Sequence, residues 1–189
     1  MKGFIAIVTT AFFCIVVSAQ AQMPIKPVQT YLQDGITIVS PNQPGWTKLK
    51  TDKSETAFEK RTETDVLAAG LKMIQIKTFE TEKDRLAGWE ALKNEEFSKF
   101  KQDHLDFTYI KFEGVTCTHY DAFFPLEKTS SNKFAYFNVR GFVCPVSNSN
   151  NSALQIEFSD YSINRGFTED INILAEAFFE KLVFPKKQK

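Results

Sequence analysis

The chain has 189 residues, with 23 Lys and Arg against 23 Asp and Glu and 43% apolar side chains. A balanced charge without a basic block excludes a protein drawn to nucleic acid or to an anionic bilayer by its overall field. The length suits one domain with its own core.

Residues 1–21 hold one Lys, an almost unbroken apolar run from 4 to 17, and then Ser18-Ala19-Gln20-Ala21, a small-x-small site. This is the layout of a secretory signal peptide cut after Ala21, too short for a membrane span. The mature chain is expected to be exported, to the periplasm or the extracellular space, with 22 basic against 23 acidic residues once Lys2 is gone. Cys14 follows Phe12 and Phe13, where a lipoprotein site needs a small residue, and so reads as part of the leader. Cleavage leaves Cys117 and Cys144, and in an oxidising compartment the pair is expected to form a disulfide.

Residues 22–30 contain Pro24 and Pro27 and are expected to be an extended lead-in. Residues 35–39 are β-branched and read as a short strand stopped by the Pro, Asn and Gly of 40–45. Trp46 then reads as a core anchor at the domain edge. Residues 57–61 and 71–79 suggest strands, the second with apolar groups on both sides and so covered by a helix on at least one. From 82 to 101 the period changes: Leu86, Trp89, Leu92, Phe97 and Phe100 mark an amphipathic helix, with Trp89 against the sheet and Glu90, Lys93, Glu95 and Lys99 on a solvated side.

Four strands are predicted next, over 105–112, 115–124, 133–144 and 153–161. The polar connectors 128–132 and 145–152 suit hairpins, so the pairing should be antiparallel. Thr168 and the acidic pair after it read as the cap of a last helix with the stripe Ile171, Leu174, Phe178 and Leu182. Residues 186–189 form a short basic tail read as a solvated end. The whole is an α+β class, an antiparallel sheet sandwiched by helices, in a single domain over 31–185.

If Cys117 and Cys144 face each other, residues whose numbers add to 261 are opposite. His119 then faces Phe142, and Asp121 faces Arg140, an opposite-charge pair on the disulfide's face. The other face carries Tyr120, Ala122 and Phe124 against Gly141, Val139 and Phe137, and is expected under a helix. His119 and Asp121 share a face, so a base with an orienting carboxylate is geometrically available, with Glu113 nearby. No nucleophile accompanies them in the local sequence, and the cysteine and histidine spacing matches no metal-ligand pattern. A second group, Asp160, Tyr161, Asn164, Arg165 and Gly166, is expected in the bend before the last helix, in a binding or structural role. No metal or cofactor is expected.

The element order, with Ile36-Thr37-Ile38-Val39-Ser40-Pro41 leading into Gly45-Trp46 and a closing helix over 171–184, resembles the fold shared by Mog1 and the PsbP photosystem subunit. Exported bacterial proteins of unassigned function look similar. The resemblance spans roughly residues 31–184 and implies an antiparallel sheet between helices, in proteins that mostly serve as accessory or binding modules. It carries no metal-binding or partner-binding residue onto this chain, and the two cysteines are not assigned by it. The expectation is a monomeric, exported accessory or binding module with a protein or small-molecule partner. The alternatives are a small hydrolase using His119 and Asp121, or a structural or assembly component of the cell envelope.

Overall fold

The structure, a computed structural model, describes residues 23–24, 29–33, 36–41, 43–112, 115–127, 133–146 and 151–183. The expected leader with Cys14, Glu113, the connector 128–132, residues 147–150 of the connector 145–152 and the basic tail 186–189 lie outside the described residues. In chain order the elements are β1 (Met23–Pro24), β2 (Thr30–Gln33), β3 (Ile36–Val39), β4 (Trp46–Lys48), β5 (Glu55–Arg61), β6 (Val66–Gln75), α1 (Glu82–Phe97), β7 (His104–Phe112), β8 (Val115–Pro125), β9 (Tyr136–Pro145), β10 (Ser152–Ser162) and α2 (Glu169–Phe179).

Among the described residues, eight strands form one antiparallel sheet in the order β1-β4-β5-β6-β10-β9-β8-β7, and β2 with β3 forms a small second sheet. After β6 the chain crosses through α1 to the far edge and returns as the meander β7 to β10, so β10 closes against β6 in the centre. Strand alternation then sorts the core into two layers. One face carries Phe58, Leu71, Ile156, Phe158, Phe142 and both cysteines, covered by Ile171, Ala175, Phe178 and Phe179 of α2. The other carries Ile74, Ala153, Val143, Tyr120, Phe124 and Phe137, covered by Leu86, Trp89 and Phe97 of α1. The fold is α+β, an antiparallel sheet flanked by two helices.

The long β6 begins earlier and ends sooner than its apolar run suggests, at Val66 and Gln75 rather than over 71–79. Its first half is Val66, Leu67, Ala68, Ala69 and Gly70, and it is held on both sides, by β5 and by β10. Small residues with little strand preference are strands here because two neighbours satisfy their backbone groups. Past Gln75 the chain leaves the sheet, and Phe79 turns back onto α1, where a Cβ at Gly88 would sit 2.2 Å from its ring.

Thr81 caps α1: its Oγ1 accepts from the Asp84 amide at 3.1 Å, and Glu82 and Asp84 sit in the first turn, where a helix favours negative charge. The helix ends at Phe97, short of the expected 101, and Phe100 continues the packing from outside it against Phe124 and Phe137. The cap of α2 differs from expectation. Thr168 occupies the N-cap with extended backbone, but its side chain makes no capping hydrogen bond; its carbonyl accepts from Asn172 at 2.8 Å. After α2 the chain returns to the small sheet, where Val183 bridges Thr37. Trp46 is buried, edge-on to Phe158 at 6.1 Å, as a core anchor.

Candidate functional site

The pairing of β8 with β9 sets Thr118 opposite Val143, His119 opposite Phe142 and Asp121 opposite Arg140. Cys117 and Cys144 continue that register by one step and are joined by a disulfide, with Cα atoms 4.5 Å apart and neither residue exposed. Both sheet faces are buried at this point, so the disulfide lies in the α2 core layer rather than on a surface.

Arg140 and Asp121 form the polar centre of that layer. Arg140 donates from Nε and Nη2 to Asp121 Oδ2 at 3.1 and 2.7 Å, and from Nη1 to Asn172 Oδ1 on α2. Its guanidinium also lies over the Phe167 ring, 5.4 Å from the centroid. One planar cation thus ties β8, β9, α2 and the segment before α2 together. The second carboxylate oxygen of Asp121 is buried without a hydrogen-bond partner.

His119 is engaged separately. Its Nδ1 shares a hydrogen bond of 3.0 Å with Thr108 Oγ1 on β7, and its ring rests on Phe142 at 4.9 Å. Burial pushes its pKa below the usual histidine value and Arg140 adds to that, against an opposing pull from Asp121. The ring is accordingly neutral at neutral pH. The expected base and orienting carboxylate therefore sit side by side, but Asp121 takes its hydrogen bonds from Arg140 and His119 bonds to Thr108.

The second predicted group is split: Asn138 gathers Asp160, Asn164 and Gly166, while Tyr161 and Arg165 lie apart from them. Asp160 and Tyr161 lie within β10, which runs to Ser162, and not in the bend after it, so alternation sends them to opposite faces. Tyr161 stacks on Phe137 at 4.7 Å in the α1 layer. Asp160 is buried on the α2 face, within reach of Asn138 on β9. Arg165 is exposed and pairs with Asp103 at 2.5 Å, which holds the segment before α2 against the entrance to β7. Gly166 has φ of 75° and its amide donates to Asn138 Oδ1, a turn that a side chain would strain.

A third polar cluster escapes sequence reasoning. Lys93, expected on the solvated side of α1, is fully buried, and its Nζ lies 2.7 Å from Glu96 Oε2 and 3.1 Å from Glu157 Oε2 on β10. Tyr120 donates its hydroxyl to the same Glu157 oxygen at 2.8 Å, and the Gln155 amide donates there too. The ammonium also sits 4.5 Å from the Tyr120 ring centroid, over its face. Burial holds the Glu96 carboxyl above its usual range against the pull of Lys93, and raises the Tyr120 hydroxyl strongly, with Glu157 and Glu96 adding to the rise. Gly141 makes the room: a Cβ there would come within 2.4 Å of the Tyr120 hydroxyl and 2.6 Å of the Ile156 carbonyl oxygen. A signal for Lys93 and Glu96 does exist, since both fall on the 3.6-residue line from Leu86 through Trp89 to Phe97.

Among the described residues no group of three or more His, Cys, Asp and Glu is placed to hold a metal ion, and no helix is long and apolar enough to cross a membrane. No family model and no curated protein matches the chain. Its likeness is to solved structures. The solution structure of cyanobacterial PsbP (CyanoP) from Synechocystis sp. PCC 6803 superposes with a TM-score of 0.51 at 12% identity, over 85% of this chain and 94% of that one. The fold is PsbP-like. A Bacteroides thetaiotaomicron VPI-5482 protein of known structure gives a TM-score of 0.48 at 13% identity, with this chain spanning half its length. At these identities the likeness concerns the fold, and the PsbP-like frame carries its functions on sites, not on topology.

Proposed function

We propose that this chain is an exported accessory or binding module of the periplasm or extracellular space, acting through contact with a protein or small-molecule partner. The observation that carries the reading is the use of the predicted polar residues as scaffold. Asp121 and Arg140 are spent, with Asn172 of α2, on joining sheet to helix, and the disulfide beside them is buried in the same layer. A group held by three fixed partners is poorly free to move a proton or to turn toward a substrate. The leader-like start and the paired cysteines support export. The PsbP-like frame supports an accessory role by likeness of fold.

Photo-crosslinking residues placed at Tyr109 on β7 and Ile173 on α2, both exposed, test the contact in the native envelope. The expected result is one discrete adduct from at least one position. A monomer by light scattering that yields no adduct from either counts against the module. An adduct between copies of the chain, with a large assembly in solution, favours the envelope-structural alternative.

One contact favours a second reading, a small hydrolase, since the Thr108 hydroxyl is hydrogen-bonded to a neutral His119 ring. A broad hydrolase substrate panel with the protein and its His119→Ala and Thr108→Val variants decides between them. The module predicts no turnover that depends on either residue, and turnover abolished by both substitutions would replace it.

A further inference from the structure

At the end of β10 two carboxylates lie on either side of Ser162 and Asn138, under the segment that leads into α2. Asp160 is fully buried; Asp65, in the turn before β6, faces the same layer. The Ser162 hydroxyl donates to Asp65 Oδ1 at 2.8 Å, and the Asn164 amide donates to that hydroxyl at 3.1 Å. On the other side, Asn138 spans the gap between sheet and loop. Its amide nitrogen donates to the Asn164 carbonyl at 3.1 Å and, weakly, to Asp160 Oδ2 at 3.4 Å, and its amide oxygen accepts from Gly166 at 2.9 Å. The same two side chains, Ser162 and Asn138, therefore hold the loop and face the acids.

Counting donors shows the imbalance. Ser162 has one hydrogen and gives it to Asp65, and Thr62 and Thr64 also donate to Asp65 Oδ2. Asp160 is left with the long contact from Asn138, and its Oδ1 is buried with no partner. A buried carboxylate in that state lacks the donors an anion needs, whereas a protonated one needs fewer. Among the described residues no cation pairs with it. Arg140, two residues from Asn138 on β9, is committed to Asp121 and Asn172, and Arg165 of the loop to Asp103. Leu67 stands opposite on β6, and Glu169 and Asp170 of α2 are exposed.

We propose that Asp160 and Asp65 form a proton-sensitive latch on the approach to α2, closed while Asp160 carries a proton and loosened when it ionises beside Asp65. The ionised form competes for the Asn138 amide and the Ser162 hydroxyl, the groups that hold Asn164 and Gly166. Burial and then Asp65 raise the Asp160 pKa from the usual carboxylate range to about 7, against smaller opposing effects of Asn138 and Ser162, so the change falls near neutrality. The latch couples ambient pH to the loop carrying Arg165 and to the seating of α2.

Amide hydrogen exchange on the purified, disulfide-intact protein tests this. After correction for intrinsic exchange, protection at Asn164 and Gly166 should fall about tenfold between pH 6 and pH 8, the factor that linkage gives for a group at about 7 when closed and near 4 when open. Amides of Phe142 and Val143 in mid-β9 should not follow. In Asp160→Asn the loop protection should be flat with pH, and in Asp65→Asn the fall should move to lower pH. A flat wild-type profile overturns the latch. So does the same fall in Asp160→Asn, or an unmoved midpoint in Asp65→Asn.

Discussion

Lys93 is the residue whose surroundings most change its meaning. Its ammonium is the cation shared by Glu96 and Glu157, and all three side chains are buried between α1 and the sheet. Lys93→Ala should cost about 3–5 kcal/mol in chemical denaturation, because two buried carboxylates lose their counter-charge. Combining Lys93→Met with Glu96→Gln and Glu157→Gln removes the charges together and should recover most of that loss, and a triple variant as unstable as the single one would refute the desolvation argument. Gly141→Ala should cost about 3 kcal/mol by the same measurement. Its new methyl meets the Tyr120 hydroxyl, which can shift, and the Ile156 carbonyl oxygen, which cannot without distorting β10. Adding Tyr120→Phe should therefore rescue Gly141→Ala only in part.

At the scale of elements, β8 and β9 are joined by ladder, disulfide and ion pair, and α2 is seated on them through Arg140 and Asn172. Replacing both Cys117 and Cys144 by Ala should lower stability by about 3.5 kcal/mol on the chain-entropy estimate for a separation of 27 residues. Ala suits these sites better than Ser, since a hydroxyl would be buried in an apolar layer. Far-UV circular dichroism should be unchanged, because ten further aligned pairs join β9 to β10. Loss of the native spectrum would show that the aromatic layers cannot hold the sheet alone. The intact protein should weigh two hydrogens less than its reduced form. Free thiols at both positions would remove the main structural support for export.

Across the whole molecule, groups with shifted pKa act on stability in opposite directions. Asp160, raised to about 7, contributes stability that is full below pH 4 and is lost as pH rises to about 7. His119, lowered by burial, contributes stability that is present above the usual histidine value and lost as pH falls below it. Asp160→Asn should therefore be more stable than wild type at pH 8 by about 2–4 kcal/mol, and nearly equal to it at pH 4, in urea titrations at the two values. An equal difference at both would mean that the substitution acts through packing and not through charge.

Much of the frame is legible from local pattern. Residues 105–161 read correctly as an antiparallel run of strands because alternation and short polar connectors specify pairing between neighbours. The 261 register needed only two cysteines and the two-residue period to place Asp121 opposite Arg140. The tertiary structure alone decided what depends on distant partners. Lys93 is buried because Glu157, 64 residues on, meets it from the sheet face under α1, and a charged residue on an apolar line reads as solvated until such a partner is seen. Asp160 and Tyr161 fall on opposite faces because β10 pairs with β6 as far as Val66, so the strand predicted over 153–161 stays extended to Ser162 and the bend comes only after it. The early start of β6 has the same origin, since Ala68, Ala69 and Gly70 have no strand preference of their own. Local sequence carries period and turn; the energy of a buried charge is a property of whatever faces it.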